Sequence, residues 1–183
     1  MKPAWVCLPA YSEATALPGL SRELGLAEPA RFAGHDAHGR PRAESQGTAL
    51  PVSVSRCGAV CAVALAAGGR VGVDLVDPCS NLPTASMLEL ASSSERLWLE
   101  ALPEQARRRR LFQVWACREA LLKALGLGLA LDLGAVELEP WGEEGLRPLR
   151  VIGCPTPPLG WHVAVEDGQG LAAGLILGLA WTT

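Results

Sequence analysis

From residue 104 to residue 125 the chain runs without a proline or a glycine, in a sequence of 183 residues that holds 14 prolines and 20 glycines. Pro103 stands where a first-turn proline opens a helix, and Gly126 and Gly128 stand where one ends. A long helix through Leu125 follows, and its apolar residues need a surface to cover them. Short strands supply it. Val52-Ser53-Val54-Ser55 alternates with the period of a strand. Ala59 to Leu65 is continuously apolar, as in a strand buried on both faces. Gly68-Gly69 turns the chain, and Val71 to Val76 reads as the returning strand. Beyond the helix, strands are predicted at Ala135 to Leu138, Leu149 to Ile152, Trp161 to Glu166 and Leu171 to Leu177. Asp167-Gly168-Gln169-Gly170 is expected to join the last two as a hairpin.

Elsewhere the punctuation is dense. Pro9, Pro18 and Pro29 confine the amino-terminal helix to about Leu20 to Leu26, and His35 to Pro41 reads as a loop. Ala85 to Ala91 is expected to be helical, with Ser94 capping a further helix that carries Glu95 to Leu99. Strands, then helices, then a meander predict an α+β domain.

Composition removes several classes of function. With 49% hydrophobic and 19% charged residues the chain is not disordered. A net charge of −3 argues against a general nucleic-acid binder. The six cysteines form no CxxC pair and have no histidine-rich neighbour, so zinc is not expected and free thiols in a reducing cytoplasm are. No apolar segment follows Met1 to Trp5, so no signal peptide is read. The most apolar stretch, Leu171 to Trp181, is shorter than the ~20 residues of a membrane span and reads as a buried strand.

Two segments carry chemistry. In Gly72-Val73-Asp74-Leu75-Val76-Asp77 a carboxylate interrupts an apolar strand. Asp74 is either solvated on an edge strand or held by a partner or metal that offsets its desolvation. In Trp115-Ala116-Cys117-Arg118-Glu119-Ala120-Leu121-Leu122-Lys123, the residues Trp115, Glu119 and Lys123 are four apart and share one stripe of the helix. A Glu–Lys surface pair accounts for the spacing. So does a half-buried site, because Val114, Leu121, Leu122 and Leu125 leave little of this helix to water. Asp74, Glu119 and Lys123 together suit a hard cation and a phosphate, since Mg²⁺ takes one or two carboxylates plus phosphate oxygens.

At these residues the sequence resembles the 4′-phosphopantetheinyl transferase superfamily. GVDLVD followed about forty residues later by WxxREALLKxxG is similar to the family's paired signature, GxDxE or GxDIVE and WxxKEAxxKxxG. Gly126-Leu127-Gly128-Leu129 matches its continuation, and Ser94-Glu95-Arg96 looks like a shortened Ser-x-x-Glu-Arg segment. Gly39-Arg40-Pro41 and Val52 to Gly58 resemble the Gly-Lys-Pro and Phe-Asn-x-Ser-His-Ser-Gly motifs of the surfactin-synthetase-activating type. The acid Asp77 resembles that of the holo-acyl-carrier-protein synthase form, while Val76 stands where GxDxE has its third acid.

The resemblance implies a pseudo-twofold α+β fold of two halves, the amino-terminal one reduced. Residues 1–69 are expected to contact the adenosine and 3′-phosphate of coenzyme A, and residues 70–183 to carry the metal and catalytic groups. It implies Asp74 and Glu119 as Mg²⁺ ligands, Glu119 and Lys123 as catalytic residues, and Arg40, Ser55, Arg56 and Lys123 as coenzyme A contacts. It implies transfer of 4′-phosphopantetheine to a serine of an acyl or peptidyl carrier protein by a cytoplasmic monomer that binds neither nucleic acid nor membrane. A degenerate carrier or coenzyme A binder and a Mg²⁺-dependent nucleotide hydrolase are the alternatives. Arg107 to Arg110 is either a solvated first turn or a docking patch for an acidic carrier. His35, His38 and His162 show no triad or metal spacing.

Overall fold

The run Val-Cys-Ala-Val-Ala-Leu has no polar face, and the strand it forms lies in the middle of its sheet, covered on both sides. The computed structural model of the chain describes residues 1–10, 12–127, 133–141, 145–151, 160–168 and 170–182. Strand β1 (Ala4–Pro9) is followed by helix α1 (Glu13–Glu23), then by β2 (Arg31–His35), β3 (Pro41–Ser45), β4 (Thr48–Leu50), β5 (Val52–Cys57) and β6 (Val60–Leu65). Next come β7 (Val71–Val76) and helices α2 (Thr84–Glu89), α3 (Ser93–Glu100) and α4 (Glu104–Leu125). The chain finishes with β8 (Val136–Trp141), β9 (Gly145–Val151), β10 (Trp161–Asp167) and β11 (Ile176–Thr182).

The strands form antiparallel sheets in the orders β1-β6-β5, β2-β3-β4 and β7-β11-β10-β9-β8. One pattern occurs twice. A strand (β1, β7) leads into helix, and the last strand of its unit (β6, β11) returns between that first strand and the penultimate one (β5, β10). This repeat is the pseudo-twofold α+β plan, with the smaller unit first.

Four layers result. Leu17 and Leu20 of α1 cover Val63 and Leu65 on the outer face of the first sheet. Its inner face, Ala62 and Ala64, packs on Val71, Val73, Leu177 and Leu179 of the second. The far face of the second sheet, including Ile176 and Ala180, lies under α4, whose Phe112, Ala116, Cys117, Leu121 and Leu122 are buried. Two glycines allow a close approach there. A Cβ on Gly72 would stand 1.9 Å from the Ala120 carbonyl oxygen, and one on Gly178 would stand 2.4 Å from that of Ala116. At these two points helix α4 therefore rests directly on the backbones of β7 and β11.

Several expectations are corrected. Helix α1 begins at Glu13 and passes through Pro18. Burial of Ala16, Leu17 and Leu20 offsets the lost hydrogen bond, which local rules alone would not accept. Strand β7 does not return along β6; it crosses to the second sheet and pairs with β11. The cap of α3 is Ser92, not Ser94. The Ser92 hydroxyl accepts from Glu95 N–H and the Glu95 carboxylate accepts from Ser92 N–H, so the Ser-x-x-Glu-Arg segment is full length when counted from its cap. Pro103 is the N-cap of α4 rather than a residue of its first turn. Strands β10 and β11 pair as the expected hairpin, but the connection is longer than Asp167 to Gly170 and includes a 3₁₀ turn at Gly170–Ala172, so Leu171 precedes the strand; Gln169 and Ile152 lie outside the described residues. No helix among the described residues is long and apolar enough to cross a membrane.

Candidate active site

Side chains alternate along β7, so Gly72, Asp74 and Val76 face α4 while Val73 and Leu75 face the first sheet. Because Gly72 lets the helix down onto the strand, the next residue on that face meets the helix at close range. Lys123 Nζ donates to Asp74 Oδ1 at 2.7 Å and to the Val73 carbonyl at 3.1 Å. Ser55 of β5 donates its hydroxyl proton to the same Asp74 oxygen at 2.8 Å and accepts the Leu75 N–H at 3.1 Å. Asp74 is thus buried on an edge strand with two donors, not solvated.

Glu119, one turn before Lys123, is half-buried on the same stripe. Burial pushes its carboxyl pKa up, the Asp74 charge pushes it further, and Lys123 draws it part of the way back. Two carboxylates thus share one lysine, and the local balance favours an added cation. Trp115, at the top of the stripe, packs into the core beside Phe112. The third acid of the signature does not join them: Val76 is buried in the core, and Asp77 accepts the Cys79 N–H at 2.8 Å just past the strand. Among the described residues no group of three or more metal-ligating side chains forms.

Beside Lys123 a cavity of about 490 Å³ opens between the β3–β5 region, the start of β7 and the end of α4. Arg40, Arg42, Arg70 and Lys123 line it, with Asp36. An Asp36 turn presents Arg40. The carboxylate accepts from His38 N–H, Arg40 N–H and, at 2.8 Å, Arg40 Nε, which holds Asp36 below the usual carboxylate range. Arg40 Nη1 then donates to the Gly126 carbonyl, and Arg70 Nη1 to that of Leu125. Both arginines therefore cap the C-terminus of α4, where the helix dipole favours cations. Gly126 has the left-handed φ of 75° that ends the helix, and a Cβ there would meet Arg40 Nη1 at 2.2 Å.

Sequence reasoning placed Asp74, Glu119, Lys123 and Arg40, and the structure brings the first three together with the fourth across the cavity. Ser55 is buried against Asp74 and does not line that cavity; Arg56 is exposed on the same strand. Arg42, within β3, and Arg70, just before β7, also line the cavity; neither was singled out from sequence, because a lone arginine carries no motif.

Within the Arg107–Arg110 run, Arg107 and Arg108 are partly buried and engaged with the protein, while Arg109 stands exposed. Arg107 donates to the carbonyls of Leu99, Glu100 and Leu102 and so caps α3. Arg108 binds the carbonyls of Pro78 and Ser80 and lies over the Phe112 ring, and Arg109 pairs with Asp167. Deeper in α4, Arg118 forms an ion pair with Glu95, both buried, and also donates to the Leu90 carbonyl. Glu95 accepts the Leu138 N–H through its other oxygen. His35 edges onto Phe32 and His162 stacks on Trp181. The cysteines among the described residues are free thiols.

Residues 70–176, more than half the chain, match the family described as 4′-phosphopantetheinyl transferase superfamily. The chain is 28% identical over 155 residues to the 4′-phosphopantetheinyl transferase HetI of Nostoc sp. (strain PCC 7120), an alignment covering 80% of this chain and 61% of that protein. It spans, in other words, under two thirds of that relative's length. Among solved structures, the holo-acyl-carrier-protein synthase of Thermotoga maritima is similar at 19% identity, 62% coverage of each chain and a TM-score of 0.47.

Proposed function

The chain belongs to the 4′-phosphopantetheinyl transferase superfamily, and on that premise we propose that it moves 4′-phosphopantetheine from coenzyme A to a serine of an acyl or peptidyl carrier protein. Adenosine 3′,5′-bisphosphate leaves. The observation that carries this reading is the meeting of Asp74 and Glu119 at Lys123, which itself lines an arginine-rich cavity. A chain of net charge −3 has gathered four cations around one cavity, which suits a substrate with three phosphates.

In this reading residues 1–69 supply Arg40 and Arg56 to the nucleotide, and residues 70–183 supply the reacting groups. Arg40, with Arg42 and Arg70 beside it, holds phosphate oxygens. Lys123 neutralises charge on the pyrophosphate as its bond breaks. The carrier serine attacks the phosphorus that bears pantetheine, and Glu119 takes the serine proton, directly or through a water. Its pKa is raised while the site holds no metal, and a bound metal lowers it again and makes the carboxylate a poorer base, which suits the route through a water. Asp74 and Glu119 are hard oxygen donors with an unmatched negative charge, so they fit Mg²⁺ that completes its shell with water and phosphate. The ion, when bound, would supply Lewis-acid neutralisation of the pyrophosphate.

The test is mass spectrometry of apo-carrier proteins incubated with this protein, coenzyme A and Mg²⁺, with and without a chelator. A chelator-sensitive gain of one phosphopantetheine is expected. Cleavage of coenzyme A with no carrier present would replace this reading with the hydrolase.

A further inference from the structure

Strands β5 and β7 run side by side in parallel, each at the edge of its own sheet, and no backbone ladder joins them. Two hydroxyls do that work instead. Ser53 accepts the Val73 N–H at 3.0 Å and Ser55 accepts the Leu75 N–H at 3.1 Å, the two-residue step of one strand matching that of the other. Both serines are buried. They differ in one respect. A hydroxyl has a single proton, and that of Ser55 goes to Asp74 Oδ1 at 2.8 Å.

We infer that Ser55 is a positioning residue that acts on the reaction through Asp74 and does not bind the nucleotide. Its donor is spent on Asp74, an acceptor pair on Leu75, and the residue is buried. With Lys123 it brings two donors onto Oδ1, and none of the described hydrogen bonds reaches Oδ2. The carboxylate is thereby held by one oxygen and presents the other. The amino-terminal unit so contributes to the metal half of the site through a side chain with no charge. This rests on the reading of Asp74 as a metal-binding carboxylate.

Ser53 provides the control, because Ser53→Ala removes the same kind of strand bond without touching Asp74. The experiment is a Mn²⁺ titration of the full chain followed by electron paramagnetic resonance in the presence of coenzyme A, on wild type, Ser53→Ala, Ser55→Ala and Ser55→Thr. Coenzyme A binding in chelator is measured alongside. Loss of an outer hydrogen bond to a metal-binding group typically weakens metal affinity ~10–100-fold. Ser55→Ala is expected to bind Mn²⁺ roughly tenfold more weakly, with Ser53→Ala and Ser55→Thr at the wild-type value and coenzyme A affinity in chelator unchanged throughout. The threonine keeps the hydroxyl on a strand-compatible residue, so the comparison survives if the alanine variant fails to fold. Wild-type Mn²⁺ affinity in Ser55→Ala overturns the inference alone, and so does an equal loss in Ser53→Ala. A drop in coenzyme A affinity in chelator, confined to Ser55→Ala, returns the serine to the nucleotide. Absence of Mn²⁺ binding by the wild type overturns the metal reading and the inference together.

Discussion

Two of the acid–base pairs that tie helix α4 to the rest of the molecule lie below its surface, and they differ in what each leaves over. Glu95 and Arg118 have side chains 0% and 4% exposed. Both carboxylate oxygens of Glu95 are occupied, one by Ser92 N–H and Arg118, the other by Leu138 N–H. Asp74 and Lys123 are 12% and 29% exposed, both donors to Asp74 fall on one oxygen, and a second carboxylate stands nearby. The first pair is closed: it fastens α3 and β8 to α4 and has little left with which to meet a ligand. The second is open and electrostatically short of a cation. Adjacent residues of the same helix, Arg118 and Glu119, thus serve opposite ends, and what separates them is the deeper burial of Arg118 against a carboxylate with both oxygens occupied.

Breaking the closed pair should have the largest effect. Arg118→Met leaves Glu95 buried without its cation and should cost about 3–5 kcal/mol in urea unfolding, with Glu95→Leu added to it recovering much of the loss. A cost under ~1 kcal/mol would mean the pair is not closed. Breaking the open region should leave the fold and remove the chemistry. Glu119→Gln should lower the transfer rate roughly a thousandfold at wild-type secondary structure, and near-normal rates would take Glu119 out of the mechanism.

A smaller effect is expected across the cavity. Arg40→Gln should raise the KM for coenzyme A about tenfold, the value of one charge-assisted hydrogen bond, with kcat little changed. An unchanged KM would leave Arg40 as a cap of α4 only.

The smallest effect sharpens the contrast through pH. The fold raises the Glu119 pKa, so the folded state holds that proton more tightly than the unfolded one. The group's contribution to stability is present below its ordinary value of 4.5 and is lost as pH rises through the folded value. In chelator, Glu119→Gln should therefore be slightly more stable than wild type at neutral pH, by under ~1 kcal/mol given the screening of a half-exposed group. The gap should close as pH falls below 4.5. A gap that widens on acidification would reverse the sign of the shift.

What the sequence disclosed followed its local periods. Asp74 among apolar strand residues, and Trp115, Glu119 and Lys123 at a four-residue step, are visible because strand and helix repeat over a few residues. The glycine in Gly72-Val73-Asp74 is legible as a letter, but its reason, the Ala120 carbonyl pressed against it, belongs to the packing of two elements. Glu95 read as part of a Ser-x-x-Glu-Arg segment, and Arg107 and Arg108 as part of a run either solvated or open to a partner. What buries them lies in other elements: Glu95 accepts the Leu138 N–H 43 residues on, and the arginines donate to carbonyls 5 to 30 residues back, which no local pattern encodes. Ser53 and Ser55 read as one face of an alternating strand, but that this face meets a second strand, β7, comes only from the packing.

The register of the second sheet also sets an order in time. The backbone of Asp74 lies opposite Gly178, in a strand that begins at Ile176 and sits between β7 and β10. A ribosome delivers Asp74, Glu119 and Lys123 well before it delivers the strand that fixes β7 in its sheet. Pairings of such long sequence separation are slow to form. A nascent chain would therefore hold Asp74, Glu119 and Lys123 and still lack the surface that brings them together, so that the proposed site is assembled by β11 rather than by the arrival of its own residues.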